Sequence, residues 1–114
     1  MSINYKDVGD NLRRIVISGR LDIPGTDSVA SKLAELTAAP KKGVVVDLSS
    51  LQFLASIGIR ALITSAKAVQ QRGGKMVLVV DDGSTVGMSL EATGVDELIP
   101  VFRNDSDAER AALA

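Results

Sequence analysis

The residue with the clearest opportunity for chemistry is Ser56, a hydroxyl in an otherwise apolar turn. The 114-residue sequence contains no histidine and no cysteine. This composition excludes a Ser-His-Asp triad, histidine acid–base catalysis, cysteine nucleophiles, and metal sites built on imidazole or thiolate ligands. Carboxylate, lysine and tyrosine chemistry remain open. Without a histidine to activate it, Ser56 does not fit the role of a hydrolase nucleophile.

Two short patterns are similar to catalytic motifs, and both fail on spacing. The stretch 73–75 reads Gly-Gly-Lys, but Val69 stands where a phosphate loop needs its first glycine, and a strand follows instead of a helix. The stretch 56–58 reads Ser-Ile-Gly, but Leu54 replaces the first glycine of the hydrolase elbow. We therefore expect a binding protein, with a small phosphate- or nucleotide-binding enzyme as the weakest of three alternatives.

The composition places the chain among single-domain globular proteins. Hydrophobic residues make up 46% and charged residues 24%, which is typical of one compact core over residues 1–114. The net charge of −1 and the 3% aromatic content offer neither a basic field nor stacking platforms, so we expect no nucleic-acid partner. No apolar run approaches the roughly 20 residues that span a bilayer, and the first residues lack a signal-peptide pattern. We expect a cytoplasmic protein without membrane insertion.

The turn that carries Ser56 follows a buried strand. Residues 44–48 read Val-Val-Val-Asp-Leu, a short and mostly apolar run that is typical of a parallel strand covered on both faces. An amphipathic helix follows, with its apolar positions beginning at Ile59 and its end at about residue 72, before Gly-Gly. The carboxyl edge of a parallel sheet is where ligands and partners bind. An exposed Leu54 or Ile57 beside an exposed Ser56 would form a small adhesive surface there.

The remaining elements complete an α/β pattern. Two strands, Ser2–Val8 and Leu12–Leu21, suit an antiparallel hairpin. We expect Pro-Gly at 24–25 to break the chain, Thr26 to cap the first helix, and 40–43 to end it. Further elements are a strand at 76–80, a helix at 85–93, a strand at 98–101 and a helix opened by the capping-box pattern at 106–109. The order ββαβαβαβα predicts helices packed on a mostly parallel four- to five-stranded sheet with an N-terminal antiparallel strand.

A collinear set of short segments resembles a known family. The segments are Gly19-Arg20-Leu21-Asp22, Asp47-Leu48-Ser49, Phe53-Leu54, Ala55-Ser56-Ile57-Gly58-Ile59, Gly73-Gly74 and Thr93-Gly94. Together they resemble the STAS family, and most closely its bacterial anti-sigma factor antagonists. The resemblance covers nearly the whole chain and implies a single STAS domain over residues 1–114.

The resemblance implies a partner-switching function without a cofactor. In such a cycle the unphosphorylated antagonist binds an anti-sigma factor that is also an ATP-bound GHKL-type serine kinase, and the sigma factor is released. Phosphorylation at Ser56 then ends binding, and a PP2C-type phosphatase acts on the phosphoserine. The partner-binding residues that the resemblance implies around Ser56 are Arg20, Asp22, Pro24, Leu54, Ala55, Ile57, Gly58, Ile59 and Arg60.

The chain departs from the family pattern at two positions beside Ser56. Ala55 replaces the usual aspartate and thereby removes an acid from the site of kinase recognition. Ile57 replaces a serine or threonine, which leaves Ser56 as the only acceptor in the turn. Ser56 also occupies a position where a serine caps a helix, and capping and phosphorylation are compatible.

Other readings stay open for the charged residues and for the function. Asp22 precedes Pro-Gly, where aspartate commonly serves a turn, and Arg20 and Arg60 are as compatible with solvated surface charges as with partner contacts. The alternative function is a STAS subunit without a phosphorylation cycle, in a lipid-transport ATPase complex or a signalling scaffold.

Overall fold

The computed structural model describes residues 2–39 and 41–114. Within them, six strands and four α-helices follow one another as β1 (Ser2–Val8), β2 (Leu12–Leu21), α1 (Ile23–Thr37), β3 (Gly43–Asp47), β4 (Leu51–Leu54), α2 (Ser56–Gln71), β5 (Lys75–Val79), α3 (Thr85–Ala92), β6 (Val101–Phe102) and α4 (Asp105–Leu113). A short 3-10 helix, Val95–Glu97, precedes β6. None of the described helices is both long and apolar enough to cross a bilayer.

The sheet is mixed and mostly parallel, as the sequence predicts. β1 pairs with β2 in antiparallel register, and the other pairings are parallel in the order β1-β2-β3-β5-β6. β4 pairs with the end of β2, outside this path. The prediction of four to five strands was therefore one short: β4 has only four residues and is stabilised by pairing with a distant segment, which its local pattern does not encode.

β2 changes partner along its length, and Gly19 is where it does so. Residues 12–16 pair with β3, whereas Gly19–Leu21 pair with β4 after a register shift between Gly19 and Arg20. Gly19 has a φ of 94°, a conformation that glycine adopts readily and L side chains rarely adopt. The end of β2 is thereby directed to β4 and the start of α2.

Apolar side chains cover both faces of the sheet. On one face Val44 and Val46 of β3 join the larger cluster formed with α1, α2 and α3. On the other face Val45 packs with Ala108 and Ala112 of α4. This alternation accounts for the apolar run at 44–46, because successive residues of a strand covered on both faces are buried on one face or the other.

Two helix starts differ from the sequence prediction. α1 begins at Ile23 with Asp22 as its N-cap, so Pro24 lies inside the first turn and Thr26 is not the cap. Proline is favourable there because the first helical N–H groups have no intrahelical partner. α1 ends at Thr37, and Pro40 lies outside the described residues. α4 begins at Asp105 with Asn104 as its N-cap, instead of at the predicted capping box.

The predicted strand at 98–101 was also wrong in its bounds. Residues 95–97 form the 3-10 helix, and β6 comprises Val101 and Phe102 alone. The predicted ends of α2 and α3 are confirmed to within a residue or two, with Gly73 and Gly94 in left-handed conformations just after them.

The largely buried side chain of Arg14 attaches α4 to the sheet. Arg14 donates from Nη2 to Asp47 Oδ2 and to Asp105 Oδ1, each at 2.6 Å. Burial opposes the positive charge of Arg14, but hydrogen bonding and attraction from Asp105 and Asp47 outweigh it and raise the pKa of Arg14. Asp47 Oδ1 also accepts from the backbone N and the hydroxyl of Ser49, at 2.9 and 2.6 Å. The Asp-Leu-Ser segment thus fixes the turn that leads to β4.

Candidate functional site

Ser56 is the first residue of α2, and it is exposed. The residue at the N-cap is Ala55, and no side chain among the described residues caps this helix start. The first helical bond runs from Ile59 N to Ala55 O at 3.1 Å, which leaves the N–H groups of Ser56, Ile57 and Gly58 without helical acceptors. The expectation that Ser56 occupies the N-cap position is corrected: its hydroxyl lies beside an open, electropositive helix start.

The start of α2 is held firmly against the end of β2. Ala55 N donates to Leu21 O at 2.9 Å. A Cβ built on Gly58 would lie 2.8 Å from Leu21 Cβ and 3.0 Å from Leu54 Cδ1, so only glycine permits this approach. Leu54 and Ile59 are 7% and 8% exposed and belong to the core. These buried contacts fix the position of Ser56 relative to the end of β2.

Asp22 closes the start of the neighbouring helix. Its Oδ1 accepts from Gly25 N at 2.9 Å, which is the hydrogen bond of an N-cap. Its Oδ2 lies 3.5 Å from Arg20 Nε. Because Asp22 directly follows Leu21, the capped start of α1 adjoins the open start of α2. The sequence left a local structural role open for Asp22, and in the structure that role is to cap α1.

Arg20 lies across the surface between these helix starts. Its guanidinium carbon lies 4.5 Å from the centroid of the Phe53 ring, in a cation–π arrangement. Phe53 is 40% exposed, and Arg20 and Phe53 are partners in the β2–β4 register. Arg20, Phe53 and Asp22 thus form a continuous polar and aromatic surface at the carboxyl edge of the sheet.

The predicted partner-binding residues divide by exposure into those at the surface and those buried beneath it. The exposed ones are Arg20, Pro24 and Arg60, with Asp22, Ala55 and Ile57 half-buried. Leu54, Gly58 and Ile59 are buried. The expectation of an exposed Leu54 is wrong, because Leu54 packs in the hydrophobic core, whereas Phe53 faces solvent.

Sequence reasoning left two exposed apolar side chains at this edge of the sheet, Ile23 and Phe53, out of its set of site residues. Ile23 is 65% exposed at the first position of α1, and Phe53 stands exposed on β4. The pattern Asp-Ile-Pro-Gly carried the signal for Ile23, because aspartate two residues before a proline marks an N-cap followed by a first turn. The sequence carried no signal for the exposure of Phe53, because the burial pattern of β4 is buried, exposed, exposed, buried and does not follow a period of two.

Within the described residues, no group of three or more acidic side chains is arranged to hold a metal ion. The most evident concavity nearby is a groove of about 440 Å³ beside Arg20 and Asp22. The fold and this edge define a class: a small α/β domain that presents an exposed serine at a helix start, among apolar and cationic side chains.

Comparisons with known proteins identify the family. The STAS domain family model matches residues 6–108, so the chain belongs to the STAS domain family. A curated relative from Paenibacillus polymyxa, named anti-sigma F factor antagonist, is 29% identical over 93 residues, covering 81% of this chain and 79% of the relative. Such names support an anti-sigma factor antagonist function for the group.

Solved structures reproduce the fold. An anti-sigma factor antagonist from Mycobacterium paratuberculosis superposes with a TM-score of 0.84 at 23% identity, covering 99% of this chain and 96% of that one. The Bacillus cell fate determinant SpoIIAA in its phosphorylated form has a TM-score of 0.69 at 14% identity, covering 96% of this chain and 99% of that one. The predicted single α/β domain of STAS type is confirmed.

Proposed function

We propose that this protein is an anti-sigma factor antagonist whose partner is an anti-sigma factor of the GHKL-type serine kinase class, with Ser56 as the phosphoacceptor. The observation that carries the proposal is the exposed Ser56 side chain at a helix start whose N-cap residue, Ala55, makes no capping hydrogen bond. The names of the curated relatives support the antagonist role. A neighbour of the same fold has been solved in a phosphorylated form, which supports modification within this fold.

The chemistry at Ser56 is supplied by the partner. Ser56 Oγ attacks the γ-phosphorus of the kinase-bound ATP, the bond to the bridging oxygen breaks, and ADP leaves as the hydroxyl proton passes to a base of the kinase. A PP2C-type phosphatase reverses the state: water attacks the phosphorus and the bond to Ser56 Oγ breaks. This chain contributes the position of the acceptor, which Leu21 and Gly58 hold by the contacts described above.

The phosphorylated protein stays folded. A phosphoserine adds about −1.5 to −2 charges. At the first position of α2 this charge meets the positive end of the helix and the N–H groups of Ile57 and Gly58, which have no acceptor within the helix. The switch therefore acts at the interface and does not act by unfolding the antagonist.

The loss of partner affinity expected from phosphorylation is large enough for a switch. Two like charges 4 Å apart repel by about 4 kcal/mol at an effective dielectric of 20. Burying the phosphate in an interface adds a desolvation penalty. Since about 1.4 kcal/mol corresponds to a tenfold change in affinity, phosphorylation weakens partner binding roughly a hundredfold or more.

The test is phosphorylation in vitro. The protein is incubated with ATP and each GHKL-type kinase encoded in the same genome, and the products are analysed by intact-mass and peptide mass spectrometry. We expect the mass of one phosphate, located on Ser56 and abolished in Ser56→Ala. Ser50→Ala is the matched control, because Ser50 is exposed on the loop before β4 and should leave phosphorylation unchanged.

The same experiment evaluates the alternative function. An unmodified protein that forms a constitutive complex with a transport ATPase, unaffected by Ser56→Ala, would contradict the phosphorylation cycle. That result would instead support a STAS subunit of a lipid-transport complex or a scaffold.

A further inference from the structure

We infer that Arg20 selects the partner by its charge: the anti-sigma factor presents a carboxylate to the groove beside Arg20. This inference rests on the proposed function and specifies the chemistry of the partner at that site. The groove has a volume of about 440 Å³ and is lined by Arg20, Asp22, Pro24, Ser28 and Gln52, among others. It adjoins the start of α2 through the bond from Ala55 N to Leu21 O.

Arg20 is preorganised for recognition. Its guanidinium stacks on Phe53 at 4.5 Å, and its Nε faces Asp22 Oδ2 at 3.5 Å. The side chain is still 56% exposed. Two contacts on one side chain restrict its rotamers, so less conformational entropy is lost when a partner binds.

The guanidinium keeps free donors. Among the residues that the structure describes, the ion pair with Asp22 uses Nε, and neither Nη nitrogen takes part in an ion pair. Two parallel N–H groups of this kind match a carboxylate in a bidentate arrangement.

Asp22 does not cancel the attraction for a second carboxylate. Its Oδ1 is engaged by Gly25 N, and the whole carboxylate lies at the positive start of α1. Arg20 is the one cationic side chain lining the groove in the described part of the chain. The ring of Phe53 covers one face of the Arg20 guanidinium and would exclude water from that side of the contact, where a charged hydrogen bond is stronger.

The arrangement predicts specificity by charge reversal. Arg20→Glu should weaken binding to the cognate kinase at least tenfold at low salt, and the loss should shrink as salt is raised. Arg20→Lys keeps the charge but loses the planar pair of donors, so its affinity should lie between those of the wild type and Arg20→Glu. The matched control is Arg110→Glu, an exposed arginine on α4, on the other face of the sheet.

The experiment is isothermal titration calorimetry of each variant with the GHKL-type kinase that phosphorylates the wild type, in ADP-bound form to prevent turnover. Circular dichroism melting confirms that each variant is folded. Arg20→Glu binding within twofold of the wild type, while Ser56→Asp binds weakly, would overturn the inference and leave the proposed function intact. Failure of the wild type to bind or be phosphorylated by any such kinase would overturn both.

The test is completed by asking whether a charge reversal on the partner restores the binding that Arg20→Glu loses. Acidic residues on the partner surface are replaced singly by arginine and combined with Arg20→Glu. One of these pairs should recover at least half of the lost binding free energy, and recovery by none of them would contradict a carboxylate contact.

Discussion

The starts of α1 and α2 lie next to each other at one edge of the sheet and differ in how they are closed. α1 has its own carboxylate, because Asp22 accepts from Gly25 N at 2.9 Å and Pro24 removes one N–H group that would need an acceptor. α2 has Ala55 at the equivalent position and leaves its first N–H groups open. The start of α1 already binds the carboxylate of Asp22, whereas the start of α2 has no capping side chain and can bind a phosphate.

The largest effect is expected from bringing bulk between the start of α2 and the end of β2. Gly58→Ala places a Cβ 2.8 Å from Leu21 Cβ, which forces the first turn of α2 away from β2. We expect a loss of about 1 to 3 kcal/mol in the free energy of unfolding, measured by urea denaturation. In Gly87→Ala on α3 the nearest atom is Ser84 Oγ at 3.2 Å, so the loss should be smaller. Equal stability of both variants would show that the approach of α2 to β2 is not tight.

Removing the cap of α1 should make the two starts alike. Asp22→Ala should destabilise the protein by about 1 kcal/mol, because Gly25 N loses its acceptor. Asp22→Asn keeps an oxygen for Gly25 N and should retain most of the stability, measured by thermal melting. Since Asn removes the charge while keeping the cap, weaker partner binding by Asp22→Asn would assign a recognition role to the carboxylate in addition to capping. Equal losses of stability in the two variants would contradict capping.

Adding a cap to α2 should stabilise the protein, whereas removing the cap of α1 should destabilise it. Ala55→Asp supplies the missing acceptor and should stabilise the protein by roughly 0.5 to 1 kcal/mol, a rise of a few degrees in Tm. Phosphorylation of Ser56 should also raise the Tm of the wild type, but it should raise that of Ala55→Asp less, because two negative charges then share one helix start. An identical increment in both backgrounds would contradict a phosphate bound at the open helix start.

The smallest effect concerns an ion pair in the N-terminal hairpin, away from Ser56. A hydrogen bond from Arg13, at 2.7 Å, lowers the pKa of Asp7. A lowered folded-state pKa stabilises the protein above the unfolded-state pKa, and this contribution is lost as the pH falls through the folded-state pKa. Stability should therefore fall slightly more in the wild type than in Asp7→Asn between roughly pH 5 and pH 2. Phosphorylation of Ser56 should leave this difference unchanged, and a changed difference would show that the two regions are coupled.

Sequence reasoning identified the layers of the fold because they follow from local patterns. The apolar run at 44–48 predicts a buried strand, and the apolar spacing from Ile59 onward predicts the buried face of α2. Ser56 was found in the same way, as the polar residue in an apolar turn. These features depend on side-chain periodicity, which is written in neighbouring residues.

The missed features depend on distant contacts or on competing meanings of one residue. β4 exists because the end of β2, some thirty residues earlier, turns at Gly19 to pair with it. Pro24 was interpreted as a breaker, although proline equally suits a first helical turn, and only the capping oxygen of Asp22 distinguishes the two. The stacking of Arg20 on Phe53 likewise requires the register between two strands.

The most direct test of the central claim is the affinity of the cognate kinase for four forms of the protein, measured by calorimetry with ADP present. The forms are the wild type, its Ser56-phosphorylated product, Ser56→Ala and Ser56→Asp. We expect Ser56→Ala to bind as the wild type does, the phosphorylated form to bind at least a hundredfold more weakly, and Ser56→Asp to lie between them, all with intact circular dichroism spectra. Equal affinity of the wild type and the phosphorylated form would contradict the account.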